Sequence, residues 1–262
     1  MGRIELKVVT LGIKLYGTRR RQLLSSVRLL IESLISGLSL RGIQVGLDRR
    51  TGRVTVHLDG ADSEFAANLL VDRFGSAVTL NRVHNGDQLH GYLIDVGKVG
   101  YGLYVDVGIS NSSRVDALIP LYSLRESLGV DRGSVRQIAK SAVLVENLPV
   151  RIEVTEVDTF HRKVTASLSK SEVSRILSWF EDDHERVIVL GADRDEVRRA
   201  LIRTGHLSDI YRFEELGVFE QVLVCKRTTR ASGILSAIGP LIPTTMHLFI
   251  PDEARELLPH AT

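Results

Sequence analysis

Residues 101–108 read Tyr101-Gly102-Leu103-Tyr104-Val105-Asp106-Val107-Gly108, and the alternation inside this run decides how the middle of the chain is read. Leu103, Val105 and Val107 recur at every second position with Tyr104 and Asp106 between them, as in a strand with one face in a core and the other in solvent. Gly100 and Gly102 permit a bulge or sharp bend beside it. Two tyrosines next to such a bend make a stacking platform. Every base has a flat π face, so tyrosines on a rigid sheet bind single strands with little sequence preference, at about 1–3 kcal/mol per stacked base.

Four further strands are expected around this one. Residues 91–96 make the first, and 116–121 a short third, whose Pro120 marks an edge or a strand end. Residues 150–157 alternate cleanly, and 164–168 pair back across the turn at 158–163. Five strands with short turns and one longer excursion give the strand count of an OB barrel.

In this order the residues resemble the S1-type RNA-binding domain, a version of the OB fold found in ribosomal proteins, exosome cap subunits and translation initiation factors. That family opens with a glycine and alternating valines, continues with aromatic-Gly-x-Phe-Val-Asp-Leu-Gly, and closes with a valine-rich strand, an Asp turn, basic residues and a Ser-Leu-Ser strand. Gly91, the run 101–108, residues 150–158, Arg162, Lys163 and residues 167–169 follow that pattern. The resemblance implies an RNA face bearing Tyr101 and Tyr104. Tyr92 and Tyr122 are expected as further aromatics, and Arg151, Arg162 and Lys163 as phosphate partners. Where the family has Gly-Leu-x-His-x-Ser, this chain has Ala117-Leu118-Ile119-Pro120-Leu121-Tyr122, so the usual histidine is missing and Tyr122 stands nearby. Aromatics also suit half-buried pleated surfaces, and the alternative for Tyr92 and Tyr104 is to pack beneath a neighbouring unit.

The chain has 262 residues, 44% hydrophobic and 25% charged, enough for two or three domains with their own cores. A formal charge of +2 is far from the strongly basic balance of proteins held on nucleic acid by phosphate contacts alone, so RNA affinity is expected to depend on local patches. The single cysteine, Cys225, excludes an internal disulfide and a cysteine-rich zinc site, and reads as a small core residue. Neither a cleavable leader nor a membrane span is read from the sequence, and the protein is expected in the cytoplasm, without a membrane partner.

The expected fold class is α+β multidomain. Residues 1–84 read as a ferredoxin-like βαββαβ unit: a strand carrying Ile4, Leu6 and Val8, a helix capped by Thr18, strands at 43–47 and 54–58, a helix ending near Gly75 and a last strand at 77–80. Its second strand lacks the aromatic signature of RNA-recognition motifs, which favours a structural role. Arg19, Arg20 and Arg21 sit where a helix dipole disfavours cations, and are expected as secondary phosphate contacts. Arg49, Arg50 and Arg53, around the hairpin, are open to phosphate contact as well, although a charged hairpin tip is usually just solvated. Residues 85–170 form the S1-like OB barrel. Residues 171–262 read as a connector helix and a small α/β sandwich with parallel strand pairs, in which 208–216 are helical.

No catalytic residue, metal site or cofactor is read from the sequence. Gly191-Ala192-Asp193 lacks the dinucleotide and phosphate-loop signatures, His184, His206 and His247 lack metal-ligand spacing, and no nucleophile elbow is present. The three-part layout also resembles an archaeal family with an S1-like barrel between two α/β units, for which no activity is implied. The reading is a non-enzymatic RNA-binding protein or adaptor in archaeal translation, ribosome function or RNA processing, with single-stranded or ribosomal RNA and a ribosomal or processing complex as partners. The alternatives are a protein-interaction scaffold whose barrel no longer binds RNA and an enzyme acting on RNA.

Overall fold

Alternating apolar residues make β1 (Leu6–Lys14), with Val9, Leu11 and Ile13 in a core and Leu6 and Val8 exposed on the other face. The computed structural model of the protein describes residues 6–110 and 114–257, so Ile4, expected in this strand, lies outside the described residues. Helix α1 (Arg20–Leu34) lays Leu23, Val27 and Ile31, one turn apart, onto the same core. It starts without a side-chain cap. Arg19, not Thr18, occupies the cap position. Strands β2 (Leu40–Leu47) and β3 (Arg53–Gly60) form the expected hairpin, and α2 (Ser63–Phe74) follows. β3 inserts between β1 and β2, antiparallel to both. The strand expected at 77–80 is reduced to one bridge between Ser76 and Leu11 and a hydrogen bond from the Ala77 N–H to the Thr10 carbonyl, before a 3-10 turn at Leu80–Arg82.

The barrel consists of β4 (Gln88–Ile94), β5 (Gly102–Ser110), β6 (Arg114–Pro120), β7 (Pro149–Asp158) and β8 (Lys163–Leu168). It closes in the order β4-β5-β6-β8-β7, with β6 and β8 parallel and every other pair antiparallel. The excursion between β6 and β7 forms α3 (Leu121–Leu128) and α4 (Val135–Ser141), which bury Leu124, Leu128 and Ile138 in the barrel core. The irregularity in β5 lies between Val105 and Ile109, not at the two glycines before it. Gly102 is required for another reason: a Cβ there would lie 2.4 Å from the Ile119 carbonyl oxygen of the paired strand.

Helix α5 (Lys170–Glu181), capped by Ser169, leads to β9 (Arg186–Leu190), α6 (Arg194–Thr204), β10 (Ile210–Glu215), β11 (Glu220–Cys225), α7 (Ala231–Ile238), β12 (Thr245–Phe249) and α8 (Pro251–Leu257). Residues 208–216, expected as a helix, are instead a 3-10 turn and a strand. Ile210, Phe213 and Leu216 are spaced three apart, which imitates a helical face, and the strand is an edge with an irregular register near its start. Adding this strand turns the alternation of strands and helices into βαββαβ. The sheet order is β10-β11-β9-β12 and all pairs are antiparallel, so the parallel pairs are corrected as well. The same split βαβ logic therefore operates on both sides of the barrel, a later strand inserting between the two joined by the first crossover helix. Central β9 is buried on both faces: Val187 and Val189 pack on the side of α6 and α7, and Ile188 and Leu190 on the side of Trp179, Phe180 and Phe249.

Ionic and hydrogen-bonded seams join the three parts. Arg53 enters the seam between the first unit and the barrel with 1% of its surface exposed, donating to the Gly12 carbonyl (2.7 Å), the Asp106 carbonyl (2.9 Å) and Asp106 Oδ1 (3.0 Å). Lys14 Nζ lies 2.9 Å from the other carboxylate oxygen. Burial pushes the Asp106 carboxyl up, but Arg53, Lys14 and Arg114 outweigh it and hold the group at about 2. Gly108, at φ +75°, leaves room for this guanidinium, since a Cβ would sit 2.5 Å from Arg53 Nε. Between the first and last units, the Tyr16 hydroxyl donates to Glu220 (2.6 Å) and Arg19 Nη2 reaches both oxygens of Glu196 at 2.7 and 2.6 Å. Burial raises Glu220 to about 7, although its hydrogen bonds from Tyr16 and the Phe219 N–H favour the charged form.

Replacing Asp106 by Ala leaves two buried cations without their carboxylate, and is expected to lower the unfolding free energy by about 3–5 kcal/mol in urea titrations. Glu220 has the opposite pH signature from a salt-bridged acid. Its folded value lies above the ordinary 4.5, so its contribution to stability is complete below pH 4.5 and is lost as pH rises toward 7. Calorimetric melting of Glu220→Gln between pH 4.5 and 7 is expected to lack the decline that this group causes in the wild-type protein.

Candidate nucleic-acid interface

The outer face of β4, β5 and β6 is set by register. Tyr92 lies opposite Asp106, Ile94 opposite Tyr104, Tyr104 opposite Leu118 and Gly102 opposite Pro120. The first unit covers one half of this face. There Tyr92 is only 7% exposed, its ring set edge-on to Tyr16 at 6.3 Å, with Lys14 and Arg53 at 5.8 and 6.0 Å from its centroid. Its hydroxyl accepts the Lys14 N–H at 3.3 Å, and burial pushes its pKa above the ordinary tyrosine value. Tyr92 therefore takes the packing alternative and is removed from the set of exposed stacking rings.

The other half of the face is open. Tyr101 is 55% exposed, and its ring stands perpendicular to that of Tyr104, with centroids 6.3 Å apart and hydroxyls 2.8 Å apart. The hydrogen bond shared with Tyr101 raises the Tyr104 pKa, with burial and the nearby Asp116 acting in the same direction. The Tyr101 carbonyl accepts the Leu121 N–H at 2.8 Å, which ties the start of α3 to this tyrosine and brings Tyr122, 68% exposed in the first turn of α3, to the same end of the face.

The basic residues separate into different places. Lys163 opens β8, and the parallel register that pairs Ala117 with Val164 sets Lys163 beside Asp116 at the border of the tyrosine face. Arg162 lies in the preceding turn with a left-handed φ of +55°. The tip of that turn carries Phe160, 88% exposed and edge-on to His161 at 4.9 Å, an aromatic that the sequence reading did not include. An apolar ring in a short turn between two alternating strands was the available signal. Arg151 is not brought to the tyrosines. It projects from β7, opposite His90, and β7 is separated from β5 by β4 on one side and by β8 and β6 on the other. Of the arginines at the start of α1, Arg19 is committed to Glu196, whereas Arg20 and Arg21 are exposed.

Side chains that a catalytic reading would recruit have structural partners. Asp193 caps α6 by accepting the Asp195 N–H (2.9 Å), and His206 pairs with Asp209 (2.8 Å) across a 3-10 turn. His184 bonds the Cys225 carbonyl (2.7 Å) and stacks on Tyr211. Burial lifts the Cys225 thiol to about 11. Among the described residues, no group of three or more His, Cys, Asp or Glu is arranged to hold a metal ion, and no helix is long and apolar enough to cross a membrane.

Three family models match the chain in succession: the DUF2110 N-terminal domain over residues 8–80, the DUF2110 central domain over 83–180 and the DUF2110 C-terminal domain over 184–250. The chain belongs to the DUF2110 family. The central match spans the whole barrel and all but the last residue of α5 in this DUF2110 chain. No curated protein matches it. Solved structures similar to parts of the DUF2110 chain include protein MJ1198 from Methanocaldococcus jannaschii, at 14% identity over 33% of this chain and 93% of that one, with a TM-score of 0.23. The a/eIF2alpha-aDim2p-rRNA complex from Pyrococcus horikoshii OT3 matches at 14% identity over 47% of this chain and 64% of that one (TM-score 0.27). A protein of vaccinia virus (Wisconsin strain) matches at 20% identity over 33% of this chain and 89% of that one (TM-score 0.23).

The tyrosine pair can be tested without a ligand. Replacing Tyr101 by Phe removes the hydroxyl that raises the Tyr104 pKa, so ultraviolet titration is expected to show Tyr104 ionising at lower pH than in the wild-type protein.

Proposed function

We propose that this protein is a non-enzymatic RNA-binding protein or adaptor, whose S1-like barrel holds single-stranded or ribosomal RNA on Tyr101, Tyr104 and Tyr122. The observation that carries this reading is the open half of the β4–β5–β6 face, where exposed aromatic rings sit on a closed barrel braced by two flanking units. Rings that are rigidly supported lose little freedom when a base stacks on them. Lys163 at the border of the face and Arg162 and Phe160 in the adjoining turn add cations and a further ring, whereas Arg151 and Tyr92 take no part in this version of the site. A ribosomal or RNA-processing complex is the proposed setting. The scaffold alternative is favoured by a separate feature, the exposed Leu6 and Val8 on the uncovered face of the first sheet.

The double variant Tyr101→Ala/Tyr104→Ala removes two stacking surfaces without opening the barrel core. At about 1–3 kcal/mol per base, affinity for a short single-stranded RNA is expected to fall at least tenfold, with little change in salt dependence. Fluorescence anisotropy on the folded variant checks this, and unchanged affinity refutes the platform. A measurable turnover of RNA by the full chain would overturn the non-enzymatic reading.

A further inference from the structure

Between the first unit and the barrel lies a cleft of about 470 Å³. Lys14, Arg20, Arg49 and Arg50 line it from the first unit, and Ile94, Asp95, Arg114, Asp116 and Glu146 from the barrel. We infer that this cleft binds the sugar–phosphate backbone of the RNA strand whose bases stack on the tyrosines, so that the first unit supplies the phosphate-binding half of the site. This inference rests on the RNA reading above and adds a residue set and a path to it.

Charge pairing supports an anionic occupant. On the barrel wall the three carboxylates are engaged: Asp95 with Lys98 (2.5 Å), Asp116 with Arg114 (2.7 Å) and Glu146 with the Val96 N–H (3.2 Å). Lys14 and Arg114 are in turn held by Asp106. Arg20 and Arg49 form no ion pair with any described residue, and both are exposed at the cleft. Two unpaired guanidiniums on one wall, facing acids of which two are ion-paired and the third accepts a backbone N–H, favour a phosphodiester over a cation.

The wall is also held in place. Asp48 accepts the Arg50 N–H (2.9 Å) and the Thr51 hydroxyl (2.8 Å), and the Leu15 N–H donates to the Gly52 carbonyl (2.8 Å). One residue beyond Gly52, Arg53 is anchored in the buried seam. The hairpin tip thus presents Arg49 from a fixed turn.

Continuity with the tyrosines follows from the register. Ile94 lines the cleft and lies directly opposite Tyr104 on the neighbouring strand. Asp116, also in the cleft, is near enough for its charge to act on the Tyr104 hydroxyl, and Lys163 stands beside Asp116 at the same border. A strand stacked on Tyr101 and Tyr104 and continuing past Ile94 meets Arg20 and Arg49 next.

The test compares the full-length Arg20→Ala/Arg49→Ala variant, Arg21→Ala and Tyr101→Ala/Tyr104→Ala in anisotropy titrations with a trinucleotide and a longer single-stranded RNA over a salt series. Arg21 is exposed on the same helix but outside the cleft, and controls for diffuse charge. For the longer RNA, the Arg20/Arg49 variant is expected to lose roughly tenfold in affinity, and its slope of log K against log salt to shrink by about 1.4, the single-strand value for two phosphates. Trinucleotide affinity and the behaviour of Arg21→Ala are expected to stay at wild-type values. If the tyrosine variant loses binding while the Arg20/Arg49 variant keeps both affinity and slope, the cleft inference falls and the RNA reading stands. An equal loss in Arg21→Ala also overturns the cleft. Absence of RNA binding by the wild-type protein overturns the reading itself.

Discussion

The arrangement of the molecule depends on the Arg53 guanidinium buried between the first α/β unit and the barrel. A fully desolvated arginine is tolerated only with a carboxylate and enough acceptors around it, and here it has Asp106 and the carbonyls of Gly12 and Asp106. Its partners come from β1 and from β5, so satisfying it ties the unit to the barrel in this docking. That docking covers Tyr92 and Asp106, leaves Tyr101 exposed and Tyr104 half-buried, and creates the cleft at the boundary.

The last unit is held by a second ion pair, a hydrogen bond and an inserted ring. Tyr16 and Arg19, from the segment between β1 and α1, reach Glu220 and Glu196, while Phe219 inserts into the core of the first unit. The two flanking units share a split βαβ core, and they meet across these contacts beside the barrel. Trp179 packs α5 against the last sheet: Arg175 and Arg186 lie 4.7 and 5.3 Å from its ring, and its indole N–H donates to Glu214. Arg186, fully buried, is also paired with Asp182, so a second enclosed cation fixes α5 against β9.

Some of the candidate site was legible in the chain and some was not, for reasons visible at particular residues. Tyr104 was legible as an outward aromatic because a period of two assigns it to the face away from Leu103 and Val105, whereas Tyr101, just before the strand, was legible only as an aromatic between Gly100 and Gly102. The same rule assigns Tyr92 to that outer face, but cannot say that another unit covers it. Arg19, Arg20, Arg49 and Arg53 look alike in sequence. One is paired with Glu196, two line the cleft and one is buried in the seam, because the positions of Glu196 and Asp106 are set by segments far away in the chain. Arg151 looked equivalent to Lys163 until strand order placed β7 and β8 differently with respect to β5.

By itself, the sequence determined the local elements wherever alternation or helical spacing was unambiguous: the five barrel strands, the hairpin of the first unit, and the helices that bury Leu23, Val27 and Ile31 or Ile176, Trp179 and Phe180. It did so because which face of an element is apolar is encoded within a few residues. Only the tertiary structure decided that residues 210–215 are an edge strand, that both flanking sheets are antiparallel throughout, and which tyrosines and arginines remain exposed. Those outcomes depend on which surfaces and charges dock against each other, and docking is settled by partners from distant parts of the chain, outside the reach of any local pattern.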